Sequence, residues 1–314
     1  MNENETIEYT ADAPIVESVP AFSRRVMRRT YSRMALGLCL GLLFSQLLPT
    51  LLAAVFPGFD AQAHAFLVGG LSTACFTLPM MLLAGRRLPT ERPEKARLTP
   101  GRFLALVCIS YASMLLGNLV GMGINMLVSP GSVDLIGQLA TAAGASVETV
   151  LAFVVLAPVF EELVFRKVLV DRVLPFGEWP AILFSGVTFG LFHGNLTQFF
   201  YAALLGMLLA YVYIRTGNIL YTMGIHACIN FLGGVLPLLV PAASFLVVIV
   251  AIAGFVLFFM MRKLFHVEKT MSPGAVGTMF ANGGMILFLL ISVGVMALVA
   301  YVMNHPELTQ GLAQ

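Results

Sequence analysis

Charge is what this sequence has least of. Only 11% of its 314 residues are Asp, Glu, Lys or Arg, and 59% are hydrophobic. An ordinary soluble domain carries about 25% charged residues. A chain this poor in charge could not cover a water-facing surface, so the soluble classes are excluded and hydrocarbon is the expected solvent. Cysteine is sparse too. Cys39, Cys75, Cys108 and Cys228 all lie in apolar runs without CxxC spacing, which excludes a disulfide framework or a zinc knuckle and predicts free, buried thiols. Long polar stretches are also missing. The longest are residues 1–20, 85–101 and 264–281, each too short to bury a core of its own. Residues 1–20 are acidic (Glu3, Glu5, Glu8, Asp12, Glu17) and do not read as a signal peptide; they are expected to be disordered.

Long apolar runs are what the chain does have. A membrane-spanning helix needs about 20 mostly apolar residues. Runs near 34–55, 63–85, 102–128, 147–170, 180–194, 198–214, 218–236, 241–262 and 282–303 meet or approach that length. None alternates as a barrel strand does. The expected fold is therefore an all-α, polytopic membrane helix bundle of eight or nine spans. All 18 lysines and arginines fall on one side of a nine-span arrangement. The positive-inside bias then puts the N-terminus in the cytoplasm and the C-terminus outside, in a multi-pass cell-membrane protein. The stretch 22–33, FSRRVMRRTYSR, holds five arginines. It reads equally as a basic helix lying on an anionic membrane surface or as the flank of the first span. Small residues four apart, Gly37/Gly41, Gly117/Gly121 and Gly186/Gly190, suit close helix packing. Nothing points to nucleic acid; the expected partners are the bilayer and a membrane-associated peptide or protein.

Strongly polar residues inside apolar runs are costly and are candidate functional groups. They cluster in 161–230. In Glu161-Glu162-Leu163-Val164-Phe165-Arg166, adjacent carboxylates point about 100° apart on a helix. Glu162 and Arg166, four apart, share a face and are expected to pair. Glu161 is left without a local partner, in a setting that favours a general base. His193 closes Phe189-Gly190-Leu191-Phe192-His193 on the fifth run. His226 and Asn230, four apart, share a face of the seventh.

These three motifs resemble those of the type-2 CAAX prenyl proteases and the related bacteriocin-processing enzymes. The pattern EExxxR, FxxxH, HxxxN reads here as EELVFR at 161–166, FGLFH at 189–193 and HACIN at 226–230. The resemblance covers about residues 145–240 and implies a glutamate-dependent intramembrane endopeptidase. In it Glu161 would activate water and His193 would hold that water. His226 and Asn230 would donate to the oxyanion, while Glu162, Arg166 and Phe189 would support the site. The implied organisation is an acidic N-terminus (1–20), a basic juxtamembrane segment with three spans (21–145), the protease core (146–240) and C-terminal helices (241–314). Substrates would be membrane-associated, of prenylated CAAX type or of bacteriocin or pheromone type.

No cofactor is expected. A zinc ion on Glu, His and His is the competing chemistry, although no HExxH pair places two ligands on one helical turn. Two other classes stay open: a non-catalytic immunity or scaffold protein of the same fold, and a proton-coupled transporter, for which no internal repeat is evident. A depth argument makes one further demand. Glu161 lies ~14 Å along its helix from Val170, and His193 lies ~20 Å from Pro180. The two can meet only if the fifth span starts below the membrane surface or if the turn at 194–198 is submerged.

Overall fold

The computed structural model describes residues 22–128 and 143–305. The acidic segment 1–20 and the tail beyond 305 lie outside them. The described residues form a helical bundle: α1 (Arg24–Val55), α2 (Ala65–Gly85), α3 (Pro100–Val128), α4 (147–173), α5 (Glu178–Phe192), α6 (Leu196–Thr216), α7 (Ile219–Leu239), α8 (Ser244–Met261), the short α9 (Ala275–Phe280) and α10 (Gly283–Asn304). Every expected run is helical. Among the described residues seven helices are long and apolar enough to cross a membrane. The other two fall short for different reasons. With 15 residues, α5 reaches only about 22 Å against a hydrocarbon core of about 30 Å. The fourth run is long enough, but the helix it forms, α4, carries seven ionisable side chains, from Glu148 to Arg172.

The basic stretch 22–33 forms no separate surface helix. Ser23 caps α1, its hydroxyl accepting the Val26 amide, and the arginines occupy the first turns of that continuous helix. Met27, Tyr31 and Met34 point inward; the Tyr31 ring meets Phe184 at 5.0 Å and Phe176 at 5.6 Å. The segment is the N-terminal part of the first long helix.

At the centre is the α5–α6 hairpin. A methyl group at Gly190 would lie 2.6 Å from the Phe199 carbonyl oxygen, so only glycine allows the two backbones this close. Gly41 meets Thr77 of α2 and Gly117 meets Tyr201 of α6 in the same way; all three small-residue pairs thus mark helix crossings. One core joins α1, α4, α5 and α10, and the other joins α3, α6, α7 and α8. Connections at the arginine-rich end are tied together. Glu91 N–H donates to Asp171 O, Ala96 N–H to Thr216 O, Ser272 N–H to Phe176 O, and Arg172 to Gly85 O.

Among the described residues four stretches are π-helical: Thr73–Thr77 in α2, Leu151–Leu156 and Leu163–Val170 in α4, and Phe231–Val235 in α7. All but Leu163–Val170 end two residues before a proline. Leu78, Ala157 and Leu236 donate to the residue five back (Thr73, Ala152 and Phe231), and Pro79, Pro158 and Pro237 follow directly. A proline ring clashes with the carbonyl four residues earlier, and a wider register relieves that clash.

The cysteine expectation needs a correction. Cys39 is buried, Cys108 and Cys228 are half-buried, and Cys75 is exposed. An apolar run does not specify which face turns outward when hydrocarbon is the solvent, because a thiol is at ease there.

Candidate active site

A cavity of about 220 Å³ lies between α2, α3, α4, α5, α6 and α7, and Glu161, His193, His226 and Asn230 all line it. Its other walls are mostly apolar, with Phe66, Met114, Phe153 and Leu205 among them. The four polar residues singled out in the sequence are thus brought together.

Glu162 and Arg166 pair as their spacing requires, with Nε 3.0 Å from Oε2 and both side chains fully buried. Glu162 also does something the sequence did not indicate. Its other oxygen, Oε1, lies 3.0 Å from His226 Nδ1. A carboxylate held by a guanidinium can only accept, so Nδ1 carries a proton and donates. That fixes the ring and turns Nε2 toward Glu161, whose Oε2 is 3.8 Å away. Glu161 itself is 18% exposed, the more open of the two acids.

His193 ends α5. Its Nδ1 is 2.7 Å from the Phe189 carbonyl oxygen, which also can only accept. The proton is therefore on Nδ1, and in the neutral ring Nε2 keeps a lone pair for the cavity. Gly194 follows in the left-handed region, with φ +60°, and Asn195 caps α6 by accepting the Gln198 amide at 3.0 Å. This turn is enclosed. A methyl at Gly194 would meet Val295 of α10 and Leu42 of α1, and the Thr197 carbonyl faces Gly121 of α3. All three neighbours lie within their helices, so the turn is packed among α1, α3 and α10.

Phe189 packs against much of the site. Its ring meets His193 edge-on at 4.8 Å and His226 at 5.8 Å, and the Arg166 guanidinium lies 4.8 Å from its centroid.

Asn230 departs from the expected pose. Its Nδ2 donates to the Phe153 carbonyl at 2.8 Å. The reason is in α4. Ala157 N–H bonds Ala152 O, and the next amide in that register would belong to Pro158, which has none. The Phe153 carbonyl is thereby released to the side chain. One Asn230 N–H remains for the cavity.

Sequence reading missed Gln198 and Tyr201. Both line the cavity, and Gln198 Nε2 donates to the Tyr201 hydroxyl at 2.7 Å. Their signal is a polar pair one turn apart at the start of an apolar run. His64 is half-exposed and paired; its Nδ1 lies 2.7 Å from Glu148 Oε1, joining the starts of α2 and α4. Among the described residues, no group of three or more His, Cys, Asp or Glu side chains is placed to hold a metal ion.

Residues 144–232 match the family model described as type II CAAX prenyl endopeptidase Rce1-like. That stretch, under a third of the chain, is similar to the CAAX-protease family. The match takes in α4 to α7 and contains all four polar residues of the cavity. No curated protein and no solved structure matches the chain. The CAAX-protease family is one of membrane peptidases, and the apolar helices around the matched stretch fit a multi-pass membrane protein.

Proposed function

We propose that the chain is an intramembrane endopeptidase that cleaves membrane-associated peptide segments with water activated by Glu161. The observation that carries this reading is the shared cavity: Glu161, His193, His226 and Asn230 open onto one space walled by apolar side chains.

In this reading the Glu161 carboxylate takes a proton from water as the water oxygen bonds to the scissile carbonyl carbon. His193 Nε2 accepts the water's other hydrogen bond and aims it. The carbonyl oxygen becomes an oxyanion and receives two donors, the remaining Asn230 N–H and His226 Nε2–H. When the C–N bond breaks, Glu161 passes its proton to the leaving nitrogen. A His226 ring that donates through both nitrogens is an imidazolium. With two carboxylates and Arg166 beside it, the resulting cluster is neutral, and neutrality keeps burial affordable.

The arginine-rich loops share one end of the bundle, which supports a cytoplasmic N-terminus. Substrates of the prenylated C-terminal type or of the bacteriocin type both fit a peptide entering from the membrane. No cofactor enters this scheme, and zinc is its competitor.

The test is cleavage of quenched-fluorescent membrane peptides by the purified chain in nanodiscs, alongside proteomics of membrane fractions. Glu161→Gln should reduce turnover by about 10²–10⁴, while the protein remains folded and chelator-treated wild type remains active. Equal cleavage by wild type and Glu161→Gln would overturn the proposal. Loss of activity on chelation, restored by zinc, would replace it with the metal reading.

A further inference from the structure

The arginines at the N-terminal end of α1 have no part in peptide hydrolysis, yet they are not scattered. Arg29 and Arg33 of α1 and Arg86 and Arg87 just beyond α2 line one open recess of about 490 Å³, together with Leu83. Arg33 is held in place by its Nη2, which donates to the Leu83 carbonyl at 3.2 Å. Arg87 has φ 63°, the one non-glycine with positive φ among the described residues. That left-handed turn is disfavoured for any residue with a Cβ, and here it turns two consecutive guanidinium side chains into the same recess. Among the described residues none of the four arginines takes part in an ion pair.

Four like charges gathered without a counter-charge repel one another, and an anion between them relieves the repulsion. The guanidinium fork suits a phosphate, which accepts two parallel hydrogen bonds from one arginine. What lies next to the recess indicates where the phosphate comes from. Leu36 and Leu40 of α1 and Leu82 and Leu83 of α2 are exposed on the outside of the bundle, where acyl chains would run. A soluble phosphate would make no use of that apolar strip.

We infer that this recess is a binding site for the phosphodiester headgroup of an anionic glycerophospholipid, whose chains lie along the outer face of α1 and α2. It is separate from the cavity between α2 and α7 and does not depend on the activity proposed there.

Native mass spectrometry of the full chain, released from nanodiscs of mixed phosphatidylglycerol and phosphatidylcholine, provides the test. The wild type should retain one phosphatidylglycerol in preference to phosphatidylcholine. Each arginine near a membrane surface contributes about fivefold in affinity, so Arg86→Gln with Arg87→Gln should weaken retention by about 30-fold. Arg24→Gln with Arg28→Gln removes equal charge from the same helix end but outside the recess, and should weaken it far less. Arg29→Gln alone should give an intermediate loss, which guards against misfolding of the double variant. Inorganic phosphate at millimolar concentration should leave the lipid in place. Equal losses in the two double variants, no preference between the lipids, or displacement by inorganic phosphate would each overturn the inference.

Discussion

The Asn230 side chain is held by the backbone of a neighbouring helix: its Nδ2 donates to the Phe153 carbonyl at 2.8 Å. That carbonyl is available because the π-helical register of α4 next calls for the amide of Pro158, which has no hydrogen. Proline here acts by what it lacks.

Pro158→Ala should therefore impair catalysis without touching the cavity. The new amide N–H competes for the Phe153 carbonyl, and Asn230 loses its anchor. We expect kcat to fall by about tenfold with KM unchanged, a fraction of the 10²–10³ that removal of an oxyanion donor costs. Asn230→Ala should show the larger loss. An unchanged kcat in Pro158→Ala would mean that the anchor does not matter.

Glu162 joins Arg166 and His226, and all three side chains are buried. Glu162→Gln leaves the Arg166 charge uncompensated and should destabilise the fold by about 3–5 kcal/mol. Removing both charges, as Glu162→Gln with Arg166→Met, should recover much of that stability, since an absent pair costs less than a broken one. Activity should stay low in the double variant, because His226 has lost the group that orients it. Thermal unfolding in detergent and peptide cleavage, measured on the same samples, separate the two effects.

Gly190 sits where α5 and α6 touch, and a methyl there would lie 2.6 Å from a backbone oxygen. Gly190→Val should force the hairpin apart and lower the yield of folded protein in detergent, as read by size-exclusion chromatography. Gly277, with nothing within 4 Å of an added Cβ, should tolerate Ala at wild-type yield.

The helical runs could be read from the sequence because an apolar run of spanning length has few alternatives in hydrocarbon. The Glu162–Arg166 pair was legible because it is local, four residues apart on one helix. The Glu162–His226 contact joins positions 64 apart, and no local pattern encodes it. The π stretches were hidden because apolar residues say nothing about hydrogen-bond register, although Pro79, Pro158 and Pro237 follow three of the four. Gln198 and Tyr201 were passed over because a polar pair at the start of a run looks like an interfacial end. They fall inside the cavity because the preceding turn is enclosed by Leu42, Gly121 and Val295.

The seven ionisable side chains of α4 bear on biogenesis. A centrally placed Asp, Lys or Arg adds about 2.5–3.5 kcal/mol to the insertion of a single helix, so this segment cannot partition into lipid by itself. Its integration should therefore depend on later helices that receive it, α5 with Phe189 and α7 with His226. A nascent chain stalled just after residue 173 should leave the segment outside the bilayer, whereas one extended through α7 should integrate it. The polar side chains that line the cavity would thus tie the membrane entry of these helices to one another.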